Sequence, residues 1–232
     1  MKGECEVRVR IIVTFLILCG ILFGLHSIVP PQHNPYRALN LAQPIGLATR
    51  GQLIHLKRNP LLCRDVLTAA GIGFTEFDSA TSQSRCTPEG TLVLERSATP
   101  YSAAPLRMSC HQLAALYIWE TQRVRPQAEI LFGSPLRQIQ TYGTFSCRNI
   151  AGSTRLSEHA SANAIDVYGF LLEDGREISV LRDWEADTVE GLFLDRIHRG
   201  ACGLFSVTLG PNYNAAHADH FHLDMGRFTT CR

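Results

Sequence analysis

Nineteen consecutive residues, Ile11 to Val29 (IIVTFLILCGILFGLHSIV), contain no Lys, Arg, Asp or Glu. A run of that length and polarity is sufficient to cross hydrocarbon as a helix. His26 is its only awkward residue. Lys2, Arg8 and Arg10 precede the run, and the next basic residue is Arg37. The positive-inside tendency therefore puts the N-terminus in the cytoplasm and the rest of the chain outside it. A cleaved signal peptide would need a small-x-small site before Pro30 and Pro31, and no clean one is present. A lipoprotein signal at Cys19 meets a large Leu18 where a small residue is needed. The reading is an uncleaved anchor. It divides the chain into a cytoplasmic N-terminus (1–10), a transmembrane anchor (11–29), a linker (30–46) and one domain (47–232). The localisation that follows is a single-pass protein of the cell membrane with its domain in the periplasm or outside the cytoplasm.

Cysteine usage agrees with export. Beyond the apolar run stand Cys63, Cys86, Cys110, Cys147, Cys202 and Cys231. The number is even, no CxxC pair occurs, and an oxidising compartment favours disulfides over zinc thiolates. The expected pairing is Cys63–Cys86, Cys110–Cys147 and Cys202–Cys231, of which the first and last each close a short loop. The formal net charge is +1, which gives no basis for a nucleic-acid partner.

Along the chain, Pro30, Pro31, Pro35 and Pro44 mark an extended linker. Asn59-Pro60 opens a helix over Leu61–Leu67, which Gly71 and Gly73 end. Phe74–Phe77 and Thr91–Leu94 are short strands around a turn at Pro88-Glu89-Gly90, with Asp78–Cys86 as loop. Ser109 to Arg125 has the strongest helical pattern, capped by Ser109 and apolar at Leu113, Leu116 and Tyr117. Leu136 to Phe145 alternates as a half-buried strand. Val189–Ala201 is a second helix, Gly203–Leu209 a strand, and Phe221–Met225 the last strand. These elements describe an α+β domain with a small antiparallel sheet and flanking helices.

Chemistry concentrates in two stretches. Ser157–Asp166 (SEHASANAID) and His217–His222 (HADHFH) hold four of the nine histidines, with Glu158, Asp166 and Asp219. Imidazole plus carboxylate is zinc ligand chemistry. On a strand, His220 and His222 share a face at roughly 6.5–7 Å between Cα atoms. One can bind a metal while the other acts beside it. Asp166 stands in the apolar strand Ala164–Phe170, where a carboxylate needs a partner or a metal. Taken singly, each of these residues is more often structural. Together they point to a metal site.

At Ser157-x-His159-x6-Asp166 and His220-x-His222 the chain resembles the zinc peptidase fold shared by lysostaphin, D-Ala-D-Ala metallopeptidases and hedgehog domains. From about Pro60 to the end it is similar to the bacterial extensin-like C-terminal family. That similarity runs through RLSEHA at 155–160, AIDVYGF at 164–170, LGPNYNAAHADHFHLD at 209–224 and the final Cys231-Arg232. The resemblance implies His159, Asp166 and His222 as zinc ligands and His220 as the catalytic histidine. It implies His217 as a further active-site histidine and Arg148 as a group that binds substrate carboxylate or oxyanion. Where the family's pattern commonly has Gly three residues after the first histidine, this chain has Ala162. Asp219 and Asp224 are candidates to orient imidazoles, and Glu158 reads as a structural hydrogen-bond partner.

The expected function is zinc-dependent hydrolysis of an amide bond in peptidoglycan peptides at the cell envelope. The alternative is a metal-stabilised module that binds peptidoglycan without cutting it, and His220 discriminates, because pure binding needs no base. A structural wall protein is disfavoured by the compact motif set. A serine hydrolase built on Ser157 lacks a nucleophile elbow such as GxSxG, and no HExxH is present.

Overall fold

The structure, a computed structural model, describes residues 2–78, 86 and 90–232; within the first helix, the side chains of residues 2–5, 22, 23 and 25–27 lie outside the description. The turn expected at Pro88-Glu89-Gly90, and the loop before Cys86 beyond Asp78, fall largely outside the described residues.

The apolar run lies in α1 (Lys2–Ile28). Its described apolar side chains are turned outward: Ile11, Phe15, Leu16 and Ile17 are each more than half exposed. Among the described residues no helix is long and apolar enough to cross a membrane; five side chains of the Ile11–Val29 run are outside the description. Residues 30–46, read above as an extended linker, lie on the domain, with Leu39 and Leu41 buried. Gln52 holds the segment by donating from Nε2 to the carbonyls of Pro31, Asn34 and Arg37, each at 3.0 Å. The two N–H groups of this buried amide, shared among three carbonyls, fix this backbone more firmly than its proline content suggests.

Two helices follow, α2 (Thr49–Leu56) and α3 (Pro60–Ala69). In α3 the buried residues Cys63, Val66 and Leu67 fall at i, i+3 and i+4, one helical face. Asn59 does not cap it; its amide donates instead to the His55 carbonyl at 3.0 Å. A small antiparallel sheet comes next, β1 (Gly73–Glu76), β2 (Thr91–Arg96) and β3 (Leu106–Ser109).

Helix α4 (Cys110–Trp119) is the centre of the core, with nine of its ten residues buried. A helix apolar all round must be surrounded. It packs on α2 and α3, Gln112 Nε2 donates to the Leu223 carbonyl at 3.0 Å, and Trp119 meets Phe170 at 6.2 Å between ring centroids. Ser109 occupies its N-cap position, but the Ser109 side chain makes no capping hydrogen bond to the helix; its hydroxyl donates to Asn163 Oδ1 at 2.9 Å. The helix widens to π turns over Glu120–Val124 before α5 (Arg125–Phe132), next to Pro126, which has no N–H to continue the ladder.

The main sheet has β4 (Leu136–Gly143), β5 (Ala164–Leu172), β6 (Glu177–Ser179), β7 (Val207–Leu209), β8 (Phe221–Asp224) and β9 (Thr230–Cys231). Its order is β4-β5-β8-β7-β9 with β6 also on β5, and every pair is antiparallel except β7 with β9. Short helix α6 (Val180–Asp183) and α7 (Val189–Cys202) cover it. Strand β5 is central and nearly all buried, which explains its continuous apolar sequence.

Three disulfides form, Cys63–Cys110, Cys86–Cys147 and Cys202–Cys231. Only the last follows the expected pairing; Cys63–Cys86 and Cys110–Cys147 are corrected. Cys63 lies on the inner face of α3, against the start of α4, so helix packing rather than chain proximity selects Cys110. In the loop-entropy description a bridge across 47 residues is worth about 4 kcal/mol. We expect Cys63→Ala/Cys110→Ala to lose about 2–4 kcal/mol of unfolding free energy, measured by denaturant titration of full-length protein in neutral detergent. An unchanged midpoint would mean that this bridge constrains nothing.

His111, at the start of α4, is buried. Burial first, then the nearby Lys57 charge, holds its imidazole down to about 4 from an ordinary 6.5. Its folded pKa lies below the unfolded one, so the unfolded state takes the proton first and stability falls as pH drops from about 6.5 towards 4. The contribution at pH 5 is about 2 kcal/mol. Denaturant titrations at pH 7.5 and 5 should therefore show an acid-induced loss about 2 kcal/mol smaller in His111→Gln than in the wild type. Equal losses in the two proteins would remove His111 as the cause.

Candidate metal centre

The centre is built where three strands and one loop meet. Asp166 of β5 has His222 of β8 as its register partner on one side and Gly143 of β4 on the other. Directly opposed side chains on adjacent antiparallel strands stand close enough to touch. His222 Nδ1 is 2.9 Å from Asp166 Oδ1. His159 comes from a 3-10 turn, Glu158–Ser161, whose first amides are capped by the Ser157 hydroxyl. Its Nε2 reaches Asp166 Oδ2 at 3.1 Å and His222 Nδ1 at 3.2 Å.

These three residues form a metal-capable group whose ligand atoms all lie within 4.8 Å of one another. Two ligands held about 2.0–2.1 Å from a tetrahedral zinc are themselves roughly 3.3 Å apart. The observed separations of 2.9 to 3.2 Å match that spacing closely. The outer hydrogen bonds decide which nitrogens face inward. His159 Nδ1 donates to the Thr144 carbonyl at 3.1 Å. His222 Nε2 donates to Asp224 Oδ2 at 3.0 Å. With no metal bound, His159 Nε2 and His222 Nδ1 are within hydrogen-bond reach of Asp166 and donate to it; with protons held on the outer side, they are the nitrogens that a metal would meet. That is the orientation ligating histidines require.

Asp224 is itself fixed. It is buried, and its Oδ1 accepts the Gly226 amide at 2.7 Å. A Cβ on Gly226 would stand 2.6 Å from Glu158 Oε1 and 3.0 Å from Asp224 Oδ1, so a larger residue there would have to push the Glu158 carboxylate aside. Glu158 is structural as expected, accepting Asn163 Nδ2 at 2.7 Å.

The charges reflect this packing. Burial raises the Asp166 carboxyl, but hydrogen bonds from His159 and His222 outweigh it and hold the group well below the usual carboxylate range. Burial likewise lowers His222, yet its bonds to Asp166 and Asp224 dominate and lift it to about 9.

His220 lies one residue before β8. Its Nε2 is 3.5 Å from Asp166 Oδ1, and its Nδ1 donates to Asp219 Oδ1 at 2.8 Å. The other Asp219 oxygen accepts the Tyr142 hydroxyl at 2.9 Å. The His220 hydrogen bond keeps the Asp219 carboxyl below its ordinary range, and burial followed by the bond to Asp219 pushes Tyr142 up to about 12. Tyr142 also meets His220 edge-on at 5.7 Å and stacks on Tyr168 at 4.5 Å. Tyr142 was not among the residues singled out by sequence. Its only signal was an outward position on an alternating strand.

His217 completes the group. Its ring is 5.3 Å from that of His220 and 5.8 Å from that of His222. Asn214 Oδ1 accepts both the Ala216 amide at 3.0 Å and His217 Nδ1 at 2.7 Å. This places the proton on Nδ1 and leaves Nε2 as an acceptor. Burial first, then the His222 and His220 charges, holds His217 down to about 4; Arg148 is close enough to add to that effect. Arg148 is exposed, in the segment tied to Ser157 by the Ser157 amide donating to its carbonyl at 3.1 Å. Every candidate site residue read from the sequence thus lies in one neighbourhood.

The family described as "Extensin-like protein C-terminus" matches residues 61–232, which include every residue of the centre. No curated protein and no solved structure matches the chain.

Proposed function

From the premise that this chain belongs to the family of the extensin-like protein C-terminus, we propose that it is a zinc-dependent peptidase that hydrolyses an amide bond in peptidoglycan peptides. The observation that carries the reading is the convergence of His159 Nε2, Asp166 and His222 Nδ1 at tetrahedral spacing, with a fourth, oriented imidazole beside them. In this reading the domain is related to the zinc peptidase fold of lysostaphin, D-Ala-D-Ala metallopeptidases and hedgehog domains. Helix α1 is its membrane anchor and places it outside the cytoplasm, where wall peptides are.

His159, Asp166 and His222 would hold the metal. Bound there, zinc would supply Lewis acidity to a carbonyl and lower the pKa of a water. His220 is the general base. Asp219 holds the proton on Nδ1, so Nε2 can accept a proton from the attacking water and return it to the leaving amine. Tyr142 keeps Asp219 in place. Arg148, with its guanidinium donors, is the group to stabilise the developing oxyanion. With Nδ1 of His217 committed to Asn214, its free Nε2 accepts, so His217 suits a substrate N–H rather than an oxyanion.

The reading is tested with full-length protein in neutral detergent. Zinc content is measured, purified peptidoglycan is added, and released muropeptides are followed with and without chelator. One zinc per chain and chelator-sensitive release are expected. Zinc with wall binding and no release across several wall chemistries would replace the peptidase by a non-catalytic binding module. Folded protein with no stoichiometric metal would end both readings.

A further inference from the structure

A cavity of about 430 Å³ contains none of the candidate metal ligands and not His220; Gly226, whose amide holds Asp224, is the residue that borders both. Its walls carry Arg50, Lys57, Arg58 and Arg227, and its lining includes the buried polar residues His111 and Ser206, with no acidic residue among them. Some cations elsewhere in the chain are neutralised by a carboxylate: Arg64 by Glu76 at 2.6 Å, Arg176 by Glu190 at 2.9 Å, Arg199 by Asp195 at 2.8 Å. Among the described residues none of the four cavity cations has an ion-pair partner. Arg50 donates to the Thr229 hydroxyl at 3.3 Å and Lys57 to the Met225 carbonyl at 3.4 Å, both neutral acceptors. Four like charges held around one concavity repel each other, and a bound anion relieves that repulsion.

We propose that this cavity binds a phosphate group. Planar guanidinium forks match tetrahedral oxyanions with paired donors, and an ammonium adds a point charge. The His111 imidazole, lowered first by burial, is lowered further by the Lys57 charge. The volume falls within the range of small-molecule sites, about 300–1,000 Å³, and leaves room for an organic substituent on the phosphate. Position bears on the source. Gln52, between Arg50 and Ile54 on α2, grips the Pro31 carbonyl, only three residues beyond the end of α1 at Ile28. The phosphate site stands without the anchor reading. If α1 is in a bilayer, lipid headgroups are the phosphates nearest this cavity.

The test is calorimetric titration of chelated, full-length protein in neutral detergent micelles, at constant ionic strength. One arm adds inorganic phosphate and the other adds micelles containing phosphatidylglycerol; chloride serves as control. Chelation removes phosphate binding at the metal centre. Saturable binding in either arm, at least tenfold weaker in Arg58→Gln/Arg227→Gln with its circular dichroism unchanged, is expected. Saturation by phosphate alone assigns the site to free phosphate, and saturation by lipid alone assigns it to headgroups. No saturation in either arm, or binding that the double variant leaves intact, overturns the proposal.

Discussion

Asp166→Asn is expected to lower zinc affinity by at least about 100-fold, roughly 2.7 kcal/mol, while leaving the fold in place. The substitution keeps shape and replaces a charged oxygen ligand with a neutral amide, a poor partner for a divalent ion. Asp166 is also the hub of the centre, within 3.5 Å of ring nitrogens from His159, His220 and His222. In the proposed centre its loss removes both a ligand and the negative charge that gathers the imidazoles. Competition with a chromophoric chelator at pH 7 measures the affinity, and circular dichroism checks the fold. Zinc affinity within a few-fold of wild type would show that the cluster is a hydrogen-bonded core network and not a metal centre. The same argument makes metal binding proton-linked, because inward nitrogens must be deprotonated to ligate.

His220→Ala carries the second large effect. Loss of a positioned general base slows hydrolysis by about 10²–10⁴-fold. Zinc content should remain, because His220 lies outside the three-residue ligand group. The discriminating measurement is muropeptide release beside zinc stoichiometry in the same preparation. Asp219→Asn is the companion, since it weakens the hold on His220 Nδ1 without removing the imidazole, and should fall between wild type and His220→Ala. Release by His220→Ala within a few-fold of wild type would place the base elsewhere. A loss of zinc together with activity would instead make His220 a ligand.

The parts of this architecture that sequence reading reached share one property: each is encoded by local pattern. Strand β5 reads as buried because nearly all of it is apolar, and Asp166 stands out against that background. The α3 and α7 faces read from helical spacing. The HxH pair reads from strand alternation, and both histidines do reach Asp166. Local pattern was less informative for α2, a short helix of mixed polarity, and for β3 and β6, which are only four and three residues long. Such elements depend on what they pack against. The Ser109 hydroxyl illustrates the conflict: its local preference is to accept from the first amides of α4, but its hydrogen bond is made with Asn163, distant in sequence, and none with the helix.

Residue chemistry and local periodicity by themselves determined that an apolar N-terminal run precedes an α+β domain, that six cysteines form three bridges, and that histidines and carboxylates gather on particular strands. Tertiary structure alone decided which cysteines meet, which imidazole nitrogen faces inward, that Tyr142 and Asp219 hold His220, and that four cations from three places in the chain share a cavity with no counter-charge. The physical reason is range. Side-chain direction along a helix or strand repeats over a few residues and is written in the sequence. Contacts between residues tens to hundreds of positions apart depend on how buried faces dock, where close packing admits few arrangements and no single segment specifies the partner.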